Sequence, residues 1–294
     1  STIENKLQII KPDIIHSHGL RADFINSKIR YSAKKVTTLR CFPYEDFINK
    51  YGRIVGTLTI HFFLKNMQRI DNRVACSNSI SKRMEGKKSL IFTPIPNGLD
   101  LSKFNKTTNE HRLESRKNLK LPEDKKIFIA VGDIAEGKNP KLIFDAFKTD
   151  DDNKLIIFLG SGPQLTQLRK LSQNSTNIKF MGKVNNVKDF LQASDYFISA
   201  SLSEGMPNAV LEAMGTGLPV ILSDIPSHRE IFEKNRFCGI LFKNKDLESI
   251  KTAISSITVK DYSTMSDSSY KIVDSYFSAS KMATGYKNFY ESLF

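Results

Sequence analysis

The sequence predicts an α/β protein with two doubly wound domains, each a parallel sheet covered by helices. Three observations lead there. Between Lys126 and Ile257 short apolar runs alternate with segments of helical periodicity, and the runs lack apolar–polar alternation, as expected of strands buried on both faces. A length of 294 residues suffices for two domains at about 100–200 residues each. Ile95-Pro96-Asn97-Gly98 reads as a turn or hinge, so the chain divides near residue 97. The expected domains are 1–97, joined by a tail helix over 277–294, and 98–276.

The elements follow in order. Pro12 and Asp13 introduce a buried strand that delivers His16 and His18 to the loop at its C-terminal end. Leu20–Ser32 is a helix candidate and Val36–Arg40 a strand, followed by an irregular loop at Cys41–Tyr44. Asn49–Ile70 has helical periodicity, Asn72–Ser77 reads as a strand, Ser79–Met84 as a short helix, and Leu90–Ile95 as a strand. Residues 99–124 look like a linker plus one helix. Thereafter strands at Ile127–Val131, Leu155–Leu159, Ile178–Met181, Tyr196–Ala200, Val220–Leu222 and Gly239–Phe242 alternate with helices at Pro140–Phe147, Gln164–Leu171, Val187–Ala193, Asn208–Met214, Ser227–Phe232 and Leu247–Ile257. The aromatic-rich stretch from Phe277 is a last helix. Ligands of such a sheet sit beyond the C-terminal ends of its strands.

Composition is ordinary for a globular protein, with 40% hydrophobic and 26% charged residues, which argues against wholesale disorder. The three cysteines, Cys41, Cys76 and Cys238, are widely spaced and odd in number, which suits a reducing compartment rather than a disulfide framework or zinc site. The N-terminus lacks a signal-peptide pattern. The longest apolar run, Ile54–Leu64, is interrupted and falls short of the roughly 20 residues a membrane span needs. The reading is cytoplasmic. Of the net charge of +13, +11 falls on residues 1–106, which hold 19 Lys/Arg against 8 Asp/Glu. Such a patch suits an anionic partner, whether an acidic lipid surface, a phosphate-bearing substrate or nucleic acid; lysine used for solubility is the plain alternative. A nucleic-acid reading rests on charge alone, and no specific nucleic-acid partner is expected.

The segment richest in chemistry runs from Ser203 through Glu212 to Pro219. Gly205 permits close approach of backbone to a ligand. Pro207 fits the first turn of a helix, leaving the amides of Met206, Asn208 and Ala209 to face an anion or hydroxyl, aided by the helix dipole. Glu204 precedes that end and Glu212 lies about a turn inside, so two carboxylates can grip two sets of hydroxyls. A Gly-Pro turn with solvated glutamates is the alternative. Elsewhere, a His pair two residues apart suits a metal, but no further ligand lies nearby and none is expected. The triplet Asp150–Asp152 follows a helix in a polar turn and reads as a solvated loop.

The segment from Glu204 to Glu212 resembles the Glu-x7-Glu motif of retaining glycosyltransferases of family 4, which have the two-domain GT-B fold. The resemblance implies that Glu204 sits at the donor sugar, that Gly205, Met206, Pro207 and Asn208 hold sugar hydroxyls, and that Glu212 binds the ribose. Val131–Pro140 is similar to the family's diphosphate loop: Gly132 is present and Lys138 is retained, but Asp133 stands where the family has arginine. Gly160-Ser161-Gly162-Pro163 is similar to a Gly-x-Gly-Pro turn, and Gly182 to Val184 to a strand end whose backbone meets the base. Asp13–Gly19 resembles the N-domain strand whose terminal histidine, here His18, faces the inter-domain cleft as a donor-sugar or acceptor contact. His16 is expected on the opposite side of that strand, as a packing residue. Family members have about one further βαβα unit before the point matching residue 1, so the N-terminal Rossmann-like domain is expected to be incomplete.

The resemblance implies a metal-independent transfer of a sugar from a nucleoside diphosphate sugar to an acceptor hydroxyl with retention, without a cofactor beyond the donor itself. Glu204, Lys138 and His18 are the expected catalytic residues. The basic first domain, with Phe62, Phe63 and Leu64 among basic residues of 51–73, suggests a lipid-linked or polysaccharide acceptor at an anionic membrane, as in surface-polysaccharide or glycolipid assembly. The alternatives are a sugar-nucleotide-binding remnant, favoured by Asp133, or a nucleotide-sugar 2-epimerase.

Overall fold

A computed structural model describes residues 2–87, 90–148 and 152–294. The chain forms two compact units: Ser1–Asn97 with Ser203–Met206 and Met282–Phe294, and Gly98–Leu202 with Pro207–Lys281.

The first unit contains α1 (Thr2–Ile10), β1 (Ile14–His18), α2 (Leu20–Lys28), β2 (Lys34–Leu39), α3 (Pro43–Met67), β3 (Asn72–Ala75), α4 (Asn78–Met84) and β4 (Thr93–Pro94). Among the described residues its four strands are parallel, in the order β1-β2-β3-β4. On one face Val36, Val74 and Ile95 pack with Met282, Tyr286, Phe289 and Tyr290 of the C-terminal helix. On the other, α2 covers β1 with a polar layer: the hydroxyls of Ser17 and Thr37 donate to buried Asp23 at 2.7 Å each, and Asn26 donates to the Val36 carbonyl at 3.0 Å. Ser77 caps α4 by accepting from the Ile80 amide.

The second unit contains α5 (Asn109–Asn118), β5 (Lys126–Val131), α6 (Pro140–Phe147), β6 (Lys154–Leu159), α7 (Leu165–Leu171), β7 (Ile178–Gly182), α8 (Val187–Ala193), β8 (Tyr196–Ser199), α9 (Asn208–Gly215), β9 (Val220–Ser223), α10 (Pro226–Phe232), β10 (Gly239–Phe242), α11 (Leu247–Ile257) and α12 (Tyr262–Tyr276). The last helix, α13 (Ala279–Glu291), begins here and from Met282 belongs to the first unit. Among the described residues these six strands are parallel in the order β10-β9-β8-β5-β6-β7. Phe128, Ile156, Phe158, Tyr196, Ile198 and Ile221 meet α6 and α11 residues Phe144, Phe147, Ile250 and Ile254 in one core. The intervening residues Ile127, Ile129, Leu155, Ile157, Phe197 and Leu222 are equally buried, which is why these strands lack polar alternation. Before β5, buried Arg116 pairs with Asp195 at 2.7 Å and donates to the carbonyls of Ala193, Glu123 and Lys125. Asp195 also accepts the Ile127 amide at 2.7 Å.

Several boundaries differ from the sequence reading. The helix expected from Asn49 starts at Pro43, because proline at the first helical position is preset for helix, and it breaks at Gly52 (φ 77°). The helix expected to reach Ser32 ends at Lys28, where Ile29 turns extended. The strand expected over Leu90–Ile95 shrinks to Thr93–Pro94, since Pro94 and Pro96 supply no amide for pairing. The sequence reading did not identify α1 or α12. Asp150 and Asp151 lie outside the described residues; Asp152 is exposed and accepts from Thr176 at 2.9 Å.

Candidate functional site

Strand order fixes where the second unit offers a site. β5 and β8 are neighbours at the centre, and the chain winds outward in both directions from them, the switch point beyond whose strand ends the ligands of such sheets sit. Those loops carry Gly132 to Lys138 and Ser201–Leu202. Backbone hydrogen bonds tie them to their neighbours: Gly132 N–H to Leu159 O at 3.0 Å, Ile134 N–H to Ser161 O at 3.0 Å, Gly160 N–H to Gly182 O at 2.8 Å, and Leu202 N–H to Gly137 O at 2.9 Å. Ser223 after β9 donates to Ser201 O at 2.7 Å, and His228 donates from Nδ1 to Ser223 O at 2.8 Å. Five strand ends are thus joined into one shelf.

Gly160 makes the tightest approach on that shelf. A Cβ there would lie 1.8 Å from the Gly132 carbonyl oxygen, and its φ of 140° disfavours any side chain. The Lys138 side chain runs along Gly132, its Cε 3.8 Å from where a Cβ would stand. Asp133 points into solvent, and Gly162 packs against the Ile134 backbone. Gly182 is buried and Val184 half-buried at the end of β7. Pro207 is the N-cap of α9, one position before the helical turn expected for it, and Val210 N–H already bonds to its carbonyl at 3.0 Å. Half-buried Glu212 lies on α9, and burial pushes its carboxyl above the ordinary value.

In the first unit Ser203–Met206 passes the C-terminal ends of β2 and β3, against Arg40 and Cys76. A Cβ on Gly205 would come within 1.9 Å of the Arg40 carbonyl oxygen. The Ser203 hydroxyl donates to Glu45 at 2.6 Å. Arg83 forks onto the same carboxylate and stacks 3.5 Å above the Phe42 ring. Half-buried Glu204 is carried on this anchored segment.

His18 is exposed at the end of β1. His16 does not face the opposite side, as the sequence reading had it. Strand side chains repeat every two residues, so the two rings share a face and stack with centroids 4.4 Å apart. His16 is nonetheless a packing residue, bonded to the Tyr290 hydroxyl at 2.6 Å and to Thr38 at 2.8 Å. Burial, then His18, holds its pKa down to about 4. The His18 pKa is also lowered, by burial and by Arg40, against an opposing pull from Asp23. Among the described residues no group of three metal-ligating side chains is assembled.

Sequence reasoning missed Glu45, Asp23, Thr38 and the two tail tyrosines. The spacing of Tyr286 and Tyr290, one helical turn, was the available signal for the last pair.

Residues 111–269 match the family model described as "Glycosyl transferases group 1", which covers over half of the chain. The chain belongs to this glycosyltransferase family. A relative from Escherichia coli, UDP-Gal:alpha-D-GlcNAc-diphosphoundecaprenol alpha-1,3-galactosyltransferase, is 30% identical over 264 residues, covering 84% of this chain and 67% of that one. An O-antigen biosynthesis glycosyltransferase, WclY, also from Escherichia coli, is 26% identical over 295 residues, covering 96% of this chain and 80% of its own length. Anabaena HepE, solved in complex with UDP, superposes with a TM-score of 0.84 at 15% identity over 99% of this chain and 80% of HepE, a likeness of fold. The glycosyltransferase therefore has the GT-B fold and spans between 53% and 80% of the first curated relatives. No helix among its described residues is long and apolar enough to cross a membrane.

Proposed function

We propose that this glycosyltransferase moves a hexosyl group from a uridine diphosphate sugar to a hydroxyl of a lipid-linked saccharide, with retention at the anomeric carbon. The shelf of strand-end loops carries the reading. Gly132, where a Cβ would meet only the Lys138 side chain, lets the backbone approach the diphosphate, Lys138 supplies positive charge, and half-buried Glu212 accepts from the ribose hydroxyls. Glu204, with Gly205 to Asn208, grips the transferred sugar, and His18 is a further sugar contact. The choice of uridine is supported by the donor named for the galactosyltransferase relative and by the UDP in HepE.

In the step itself the C1–O bond to the diphosphate breaks as the acceptor oxygen bonds to C1 on the same face. The acceptor proton passes to the departing phosphate oxygen. Lys138 and the amides at the start of α9 stabilise the charge that develops there, so neither a general base nor a metal is invoked. A thermal-shift panel of UDP-, GDP- and ADP-sugars against the protein and Glu212→Ala tests the reading. Stabilisation by a UDP-sugar that is lost in the variant is expected; no stabilisation by any donor overturns it.

The acceptor reading rests on a second observation. Beyond the break at Gly52, α3 turns Ile54, Val55, Leu58 and Phe62 to solvent at helical spacing, with Ile54 80% and Leu58 68% exposed. Phe24 of α2 packs against Phe62 with ring centroids 5.2 Å apart, and Lys28 lies over Phe24. Arg53, Lys65 and Arg69 flank this stripe. An apolar stripe rimmed by cations suits the interface of an anionic bilayer, where a lipid-linked acceptor is presented. Sedimentation with phosphatidylglycerol vesicles should show binding that weakens with salt and with Leu58→Glu. Equal binding to neutral vesicles, or none, refutes the docking.

A further inference from the structure

Among the described residues no hydrogen bond reaches the His18 ring, although the resemblance assigns that ring to substrate. Its orientation comes from stacking on His16, with an interplanar angle of 29°. His16, by contrast, is held at both nitrogens. Nδ1 meets the Tyr290 hydroxyl at 2.6 Å, and Nε2 meets the Thr38 hydroxyl at 2.8 Å. Thr38 in turn bonds the Tyr286 hydroxyl at 2.9 Å. Tyr286 and Tyr290 stand one turn apart on α13, with ring centroids 5.8 Å apart. The far end of the sequence thus reaches the end of β1 through two phenols.

We propose that His16 is a positioning residue for His18: clamped by Tyr290 and Thr38, its ring is the platform that sets the aim of the His18 imidazole. Unlike the His18 assignment on which it rests, this makes the C-terminal helix part of the functional apparatus. A platform of this kind works only as a neutral ring, since a cation under His18 would repel it whenever His18 takes a proton. The surroundings keep it neutral. Burial and His18 lower the His16 pKa to about 4, and the remaining groups facing it, Tyr286 and Tyr290, are uncharged because burial raises both phenols further above their ordinary value. The charged groups facing His18 are Asp23 on α2 and Arg40 after β2.

Histidine-selective NMR titration of the donor-free protein tests this, so the result stands whether or not a UDP-sugar binds. In the unmodified protein His16 should stay neutral down to about pH 4, and His18 should titrate below the ordinary 6.5. Tyr290→Phe removes only the clamp's hydroxyl, and His16→Leu removes the ring while keeping apolar volume. With melting temperatures retained, both should move the His18 pKa upward, because a ring released from the stack is more hydrated. In the same variants kcat should fall about tenfold with donor KM little changed, as misorientation predicts. An unchanged His18 titration in folded His16→Leu overturns the platform. A shift in that variant but none in Tyr290→Phe overturns the role of the tail helix.

Discussion

Replacing Gly160 by alanine tests the shelf most directly. The added Cβ would stand 1.8 Å from the Gly132 carbonyl oxygen, where ordinary contact begins above 3 Å, so one strand end must retreat by more than 1 Å. A φ of 140° adds strain for alanine on the order of 1–3 kcal/mol. A total cost of about 2–4 kcal/mol corresponds to a fall in melting temperature of roughly 4–16 °C for a unit of this size. Because Lys138 lies along Gly132, the retreat would also displace the ammonium from the proposed diphosphate position, and a 1 Å misplacement costs about a hundredfold in rate. Gly137 is the internal control. It lies in the same loop, no positive φ marks it, and a Cβ there meets nothing within 4 Å. Scanning calorimetry and UDP titration calorimetry on Gly160→Ala and Gly137→Ala should separate the two, with only the first losing stability and affinity. Equal behaviour refutes the close-approach reasoning.

Glu212→Gln should raise the melting temperature of the donor-free protein near neutral pH, because burial has raised the carboxyl pKa and the charged form is the less stable one there; the gain should vanish as pH falls through the unfolded value near 4.5, and donor-induced stabilisation should shrink throughout. Lys138→Ala should raise donor KM about 10- to 150-fold, the equivalent of a charge-assisted hydrogen bond worth about 1.5–3 kcal/mol, whereas Asp133→Arg should lower it; steady-state kinetics with varied donor decide both. Arg116→Met strands buried Asp195 and should cost about 3–5 kcal/mol in urea unfolding, with kcat unchanged in the folded protein.

Most of the second unit was legible because burial on both faces writes each strand as an unbroken apolar run; Leu155–Leu159 needs no other signal. Its helices were legible from strong amphipathicity, as in α6 and α11. α12 escaped for the opposite reason. Ser266, Ser268 and Ser269 are buried on it beside Met265, Ile272 and Val273, and small hydroxyls that pack inside a fold read as solvent-facing in a sequence. In the first unit a polar layer around Asp23 does part of what apolar residues do elsewhere, so its elements carry weaker periodicity. Strand period alone places His16 and His18 on one face, so the expectation of opposite sides misapplied a signal the sequence does carry. Their partners carry no such signal: Tyr286 and Tyr290 lie more than 240 residues away, and their one-turn spacing marks a shared helix face without saying what it meets.

Asp133 shows how the fold limits the damage a single departure can do. The position follows β5 in the loop that carries Lys138, so a carboxylate there replaces an expected attraction with repulsion. It is exposed, however, and a solvated charge about 4 Å from a phosphate is opposed by only about 1 kcal/mol in water. The missing guanidinium forgoes about 1.5–3 kcal/mol more. At the proposed donor site the two together would weaken affinity by roughly two to three orders of magnitude. They leave untouched the backbone amides of the shelf, whose placement depends on the hydrogen bonds between strand ends rather than on any charge. If Asp133 faces the donor diphosphate as proposed, the expected defect is one of affinity, overcome by donor concentration, with turnover at saturation set by the groups at the sugar.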